Sequence, residues 1–140
     1  VAIRAWLQEE HARPDGERIH FPIEVRFVDA DGIWLSHCYG RKTCFIGVIQ
    51  FRPYDLPTSY RVLFQRFEAL MRQFDGRPHW AKTHTSYRAE LKERYPHLDD
   101  WLAVQAAYDP ERMLVNPYVA RHLLDEHGAG RRSVFRKSRM

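Results

Sequence analysis

Glu24 and Arg26 lie two residues apart in Phe21-Pro22-Ile23-Glu24-Val25-Arg26-Phe27. The period of two predicts a strand with Phe21, Ile23, Val25 and Phe27 on one face and Pro22, Glu24 and Arg26 on the other. The carboxylate and the guanidinium then point to the same side, about 6–7 Å apart at the backbone. Facing solvent, they are a surface ion pair worth less than about 1 kcal/mol. Facing a cleft, they suit a polyhydroxylated ligand. The carboxylate accepts from hydroxyls, and the guanidinium donates to oxygens that carry partial negative charge.

A second candidate is Gly76-Arg77-Pro78-His79-Trp80-Ala81-Lys82. Glycine and proline make it a stiff segment that either presents polar tips or simply connects two elements with Trp80 packed. His79 and His84 make no zinc site, because the chain has neither a His-Glu-x-x-His helix nor a thiolate pair nearby. A third stretch runs from Asp109-Pro110 to Asn116-Pro117-Tyr118. Asn116 reads as a helix cap, or as a helix N-terminus set beside a polar ligand. Cys38 and Cys44 give no disulfide framework; they fit a pairing across a hairpin or two free thiols.

The elements that position these residues follow from periodicity. Residues 2–11 predict a short helix, with Ile3, Trp6, Leu7 and Glu10 helically spaced. Arg13-Pro14-Asp15-Gly16 and Asp29-Ala30-Asp31-Gly32 are turns. After the Phe21–Phe27 strand, Ile33–Ser36 reads as a short strand and Thr43–Arg52 as a long one, paired antiparallel through short connections. Tyr60, Leu63, Phe64, Phe67, Leu70, Met71 and Phe74 form the clearest amphipathic stripe, stopped at Asp75-Gly76. A polar helix follows from Ser86 to Tyr95. Another has Asp99 and Asp100 in its first turn and Leu98, Trp101, Leu102, Gln105 and Tyr108 on one face. A last one opens at Asn116-Pro117 and runs to about Glu126. The fold class is α+β, an antiparallel sheet followed by packed helices.

Composition narrows the classes of function. The 140 residues are 44% hydrophobic and 29% charged, which excludes collagen-like, coiled-coil and disordered chains. No apolar run reaches the roughly 18–20 residues of a membrane helix. The net charge of +4 belongs to the end of the chain, where Arg131, Arg132, Arg136, Lys137 and Arg139 meet no acid. Without these five, 17 basic residues face 18 acidic ones. A near-neutral body argues against a nucleic-acid partner. Residues 128–140 read as a basic, disordered tail, either solvated or in weak contact with an anionic surface.

The order of Phe21–Phe27, Trp34-Leu35-Ser36, Phe51-Arg52-Pro53-Tyr54, Gly76–His84, Tyr95-Pro96, Asp109-Pro110 and Asn116-Pro117-Tyr118 resembles the C-terminal part of the aldonolactone oxidases. These arabinono- and gulono-1,4-lactone oxidases are FAD enzymes of the vanillyl-alcohol oxidase family. The resemblance covers about residues 2–124, and the Gly-Arg-Pro-His-Trp-Ala-Lys run is its most specific part. It implies that residues 1–127 are the catalytic and cap portion of a two-domain flavoenzyme whose FAD-binding domain lies N-terminal to them. It also implies oxidation of a sugar lactone beside its carbonyl, hydride transfer to flavin, reduction of oxygen to hydrogen peroxide and an ascorbate-type product. By the same resemblance, Glu24 orients substrate hydroxyls and Arg26 stabilises negative charge. Lys82 stands at the flavin–substrate junction, His79 and Trp80 shape the pocket, and Asn116 lies near the flavin edge. Gln50 and Arg52 line the substrate side of the sheet. Gly40, Gly47 and Gly76 form no phosphate loop, so the piece alone is expected to hold no FAD and to be inactive. The competing reading is a non-catalytic binding module that keeps this fold. The compartment stays open. By resemblance alone it is intracellular, at a mitochondrial or endoplasmic-reticulum membrane, and nothing in this stretch encodes an anchor.

Overall fold

The computed structural model describes residues 2–14 and 17–126. Asp15, Gly16 and the basic tail lie outside the described residues. The chain divides into two compact units, residues 1–85 and 86–140. Among the described residues it is α+β, with one two-stranded antiparallel sheet and five α-helices.

The first unit holds α1 (Ala2–Ala12), β1 (Glu24–Val28), β2 (Thr43–Gly47), a one-turn 3-10 helix (Pro53–Asp55) and α2 (Arg61–Arg72). Trp6 of α1 and Phe67 of α2 pack with ring centroids 5.5 Å apart, and Leu63 is fully buried. Glu10, also buried, meets Arg66 of α2 at 2.8 Å and Arg13 at 3.2 Å. The carboxylate thus enters the interface paired on both sides, as a buried charge must.

β1 and β2 pair in the register Glu24↔Gly47, Val25↔Ile46, Arg26↔Phe45, Phe27↔Cys44 and Val28↔Thr43. All three expected strands change, and the first begins at Glu24 rather than Phe21. The long strand Thr43–Arg52 stops at Gly47. Continuing the register would set Ile49 against Pro22, whose nitrogen has no hydrogen to donate. Beyond that point side chains make the link: the Gln50 carbonyl accepts from the His20 N–H at 3.2 Å, and Phe51 N–H donates to His20 Nδ1 at 3.3 Å. Ile33–Ser36 is a turn, not a strand. The Asp31 carboxylate accepts from the Ile33 N–H (3.0 Å) and from the Ser36 hydroxyl, and Ser36 N–H closes onto Ile33 C=O at 2.9 Å. Asp and Ser side chains offer the backbone partners within the loop, and these displace a ladder.

α2 ends where the sequence places it. Asp75 takes the left-handed conformation (φ 51°), and Gly76 N–H donates back to Met71 C=O at 2.9 Å. A Cβ on Gly76 would sit 2.8 Å from that same carbonyl oxygen, so the close approach requires glycine here.

The second unit contains α3 (Arg88–Arg94), α4 (Leu98–Tyr108) and α5 (Pro117–His122). Leu91, Tyr95 and Leu98 are fully buried, joined by Leu102, Ala120 and Leu123. Asn116 caps α5, its side-chain oxygen accepting from Tyr118 N–H (3.0 Å) and Val119 N–H (2.9 Å). α3 is shorter than the expected Ser86–Tyr95, and α5 stops at His122 rather than near Glu126. Tyr108, expected on the packed face of α4, is exposed. Cys38 is buried, Cys44 is exposed, and both are free.

Candidate active site

The register of β1 and β2 assigns the faces. Glu24, Arg26, Phe45 and Gly47 share one side, and Val25, Phe27, Cys44 and Ile46 the other. Arg26 Nε donates to Glu24 Oε1 at 2.8 Å, with half of the Glu24 side chain and 68% of the Arg26 side chain open to solvent. Gly47 opposite Glu24 leaves the carboxylate room: a Cβ there would touch Glu24 Cβ and Oε2 at 3.7 Å. The Arg26 hydrogen bond, reinforced by the nearby Arg26 and Lys82 charges, holds the Glu24 carboxyl below the usual carboxylate value. The same bond raises the Arg26 guanidinium. The pair is therefore fully ionised at neutral pH, and Lys82 is near enough for Glu24 to feel its field. Arg26 uses only its Nε–H on Glu24, so its two amino groups have no partner among the described residues.

The segment 76–82 that carries Lys82 is fastened to the loop between the two strands. Arg77 donates to the carbonyls of Ser36 (3.3 Å), His37 (3.0 Å) and Tyr39 (3.0 Å). The Trp80 indole N–H donates to Leu35 C=O at 2.9 Å. Trp80 thus anchors the segment through its polar edge, as half-buried indoles do. His79 Nδ1 accepts from Ala81 N–H (3.1 Å), and Lys82 N–H closes a turn onto His79 C=O (2.9 Å). The Lys82 side chain is exposed and has no ion-pair partner among the described residues.

His37 joins the two pieces, and sequence reasoning passed over it. Its ring stacks on His79 with centroids 5.1 Å apart and planes 20° apart, and meets Phe45, the cross-strand partner of Arg26, edge-on at 5.4 Å. Set between Ser36 and Cys38 in a stretch without periodicity, it gives no signal in the sequence. Burial is the main reason its pKa lies below the ordinary imidazole value, and His79 and Arg77 push the same way.

Glu24, Arg26, His79, Trp80 and Lys82 thus belong to one unit and one neighbourhood. Gln50 sits farther along, with its amide tied to the backbone of residues 18 and 20. Arg52 lies in the exposed turn before the 3-10 helix. Asn116 belongs to the second unit, where its carbonyl oxygen is taken up by the α5 cap. A shallow depression lined by Phe27, Val28, Asp29, Lys42, Thr43 and Cys44 contains Phe27 and Cys44, which belong to the apolar side of the hairpin. Its Val28 and Thr43 share the side of Glu24 and Arg26, so it lies at the loop end of the hairpin and takes residues from both faces. Among the described residues no group of acidic, histidine or cysteine side chains could hold a metal ion.

Residues 1–122 match the D-arabinono-1,4-lactone oxidase family. The chain belongs to that family. It is 38% identical over 119 residues to the L-gulonolactone oxidase of Scyliorhinus torazame, covering 85% of this chain and 26% of the relative. It is 43% identical over 105 residues to an L-gulono-1,4-lactone dehydrogenase of Mycobacterium tuberculosis (75% and 24%). It is 35% identical over 102 residues to the alditol oxidase of a Streptomyces species (73% and 24%). The chain therefore spans about a quarter of the length of these relatives. As a member of the lactone oxidase family it carries the Glu24–Arg26 pair and the Gly76–Lys82 segment within the matched range.

Proposed function

We propose that this chain is the C-terminal catalytic portion of an FAD-dependent aldono-1,4-lactone oxidase. The substrate is a sugar lactone of the arabinono or gulono type, oxygen is the electron acceptor, and the product is an ascorbate-type ene-diol with hydrogen peroxide. The FAD-binding domain belongs to the part of the protein N-terminal to this chain. The observation that carries this reading is an ionised carboxylate and a guanidinium with unspent donors on one strand face, within the field of Lys82, in a chain of this family.

The residues fit the reacting end of a flavin and a lactone. Arg26 and Lys82 would face the oxygens of substrate and cofactor, and the imidazole–indole cluster would offer them a flat apolar surface. FAD, when bound, would supply the chemistry of hydride acceptance from the lactone, with oxygen as the final electron acceptor. Glu24, ionised, accepts hydrogen bonds from the lactone hydroxyls and fixes the orientation of the ring. Arg26, held by Glu24 through Nε, keeps its amino groups for oxygens on which negative charge grows. Such a donor fixed in advance costs no reorganisation during the reaction. Lys82 adds a compact positive charge at the junction of substrate and cofactor, and His79 and Trp80 form the wall beside it. In this reading Gln50 and Arg52 border the substrate side.

Lys82→Met in the full-length protein tests the site. The methionine keeps the packing of the stem and removes the charge. Anaerobic stopped-flow should show flavin reduction by the lactone slowed at least about tenfold, a barrier increase of roughly 1.4 kcal/mol. Lys82→Arg should restore little, since a planar fork does not replace an ammonium. An unchanged rate in Lys82→Met removes the lysine from the site.

A further inference from the structure

We propose that His37 is the positioning residue for the Gly76–Lys82 segment, setting where Lys82 stands through the Pro78 carbonyl and the face of His79. The inference rests on the reading of Lys82 given above and assigns a role to a residue outside the charged set.

Arg77 secures the start of the segment on three carbonyls, and Trp80 secures its middle on Leu35. Pro78 and His79 lie between, and His37 meets both. Its Nε2 lies 3.1 Å from Pro78 C=O. A carbonyl only accepts, so Nε2 carries the hydrogen. The same ring is the floor on which His79 stacks, and His79 in turn fixes the chain that follows, through Ala81 N–H to Nδ1 and Lys82 N–H to the His79 carbonyl. On its other side the ring meets Phe45, across from Arg26. One imidazole thus relates the strand bearing Arg26 to the turn bearing Lys82.

The charge state of this ring matters to the arrangement. His79, stacked on it, and Arg77, beside it, oppose a proton on His37, as burial does; Asp31 and the Pro78 carbonyl favour one. The balance is a lowered pKa, so the ring is neutral at pH 7. Protonation would place a cation against His79 and Arg77 and loosen the stack.

The test uses the full-length protein and two readouts. In hydrogen exchange at fixed pH, His37→Ala should speed exchange of residues 79–83 at least about fivefold, the scale of one lost hydrogen bond, with the α4 peptide as an unaffected control. His37→Phe keeps a ring under His79 and should recover part of the protection. His37→Gln keeps a donor for Pro78 and should recover another part. In anaerobic flavin reduction, His37→Ala should slow the step several-fold in the wild-type background and have no further effect in Lys82→Met. The wild-type rate should also fall on an acid limb below the ordinary imidazole pKa of 6.5 that is missing in His37→Phe. Unchanged exchange at 79–83 in His37→Ala overturns the assignment, and so does a loss that adds in full to that of Lys82→Met. If Lys82→Met leaves flavin reduction unchanged, the role of Lys82 falls, while the exchange measurement still decides whether His37 holds the segment.

Discussion

The hairpin β1–β2 and the helical unit from residue 86 bury their apolar residues to opposite degrees. In the helical unit Leu91, Tyr95 and Leu98 are fully buried. In the hairpin every residue of β1 is exposed, Phe27 at 83% and Val25 at 47%. A two-stranded sheet alone is marginal in water. The helical unit holds fully buried side chains. The hairpin is shaped by turns, side-chain links and one histidine, and it keeps both faces open. One region is stabilised by what it buries and the other presents what it carries. The apolar face is uncovered, and the charged face carries the donors and acceptors that the proposed function uses.

That contrast breaks most readily in the helical unit. Leu98→Ala should destabilise the chain by about 2–5 kcal/mol, read by chemical denaturation, because a fully buried leucine leaves a cavity. A loss below about 1 kcal/mol would mean that the unit collapses into the space and that its core is loosely packed. The charged face should respond in the opposite way. Arg26→Ala in the full-length protein should raise the barrier to turnover by on the order of 2–4 kcal/mol, with the melting temperature almost unmoved. Glu24→Gln should mainly raise KM. Wild-type kinetics in both variants would reduce the pair to a surface ion pair. The smallest effect on stability belongs to the apolar face. Phe27→Ser should change stability by no more than about 0.5 kcal/mol, yet it should weaken concentration-dependent association of the 140-residue chain in sedimentation velocity. Equal association by both forms would remove Phe27 from the sticky surface.

Much of this division was legible in the sequence where one local rule acts alone. The stripe from Tyr60 to Phe74 gave α2, and Asn116-Pro117 gave a capped helix start. The two-residue spacing of Glu24 and Arg26 put them on one face. The reading failed where side chains compete with the backbone ladder. Asp31 and Ser36 turn an apolar stretch that reads as a strand into a loop, and Pro22 shortens β2 from the partner strand, 27 positions away from Ile49 in sequence. Tyr108 and Phe27 carry the right spacing for burial, but burial needs a partner surface, which periodicity does not report. His37 could not be found at all. Its importance comes from Pro78 and His79, about 40 residues away, and no local pattern encodes that meeting.

The close fit of Gly76 over the Met71 carbonyl has a consequence for how this protein can change over time. Because the last turn of α2 and the start of the lysine-bearing segment share one backbone contact, the helix works as a ruler as well as a packing element. Exposed positions along it can exchange residues freely. Adding or removing one residue, however, would swing the exit by about 100° and shift it by about 1.5 Å, carrying Arg77 and everything after it off the strand loop. Substitution is open to the exposed positions of α2, and a change of length is closed.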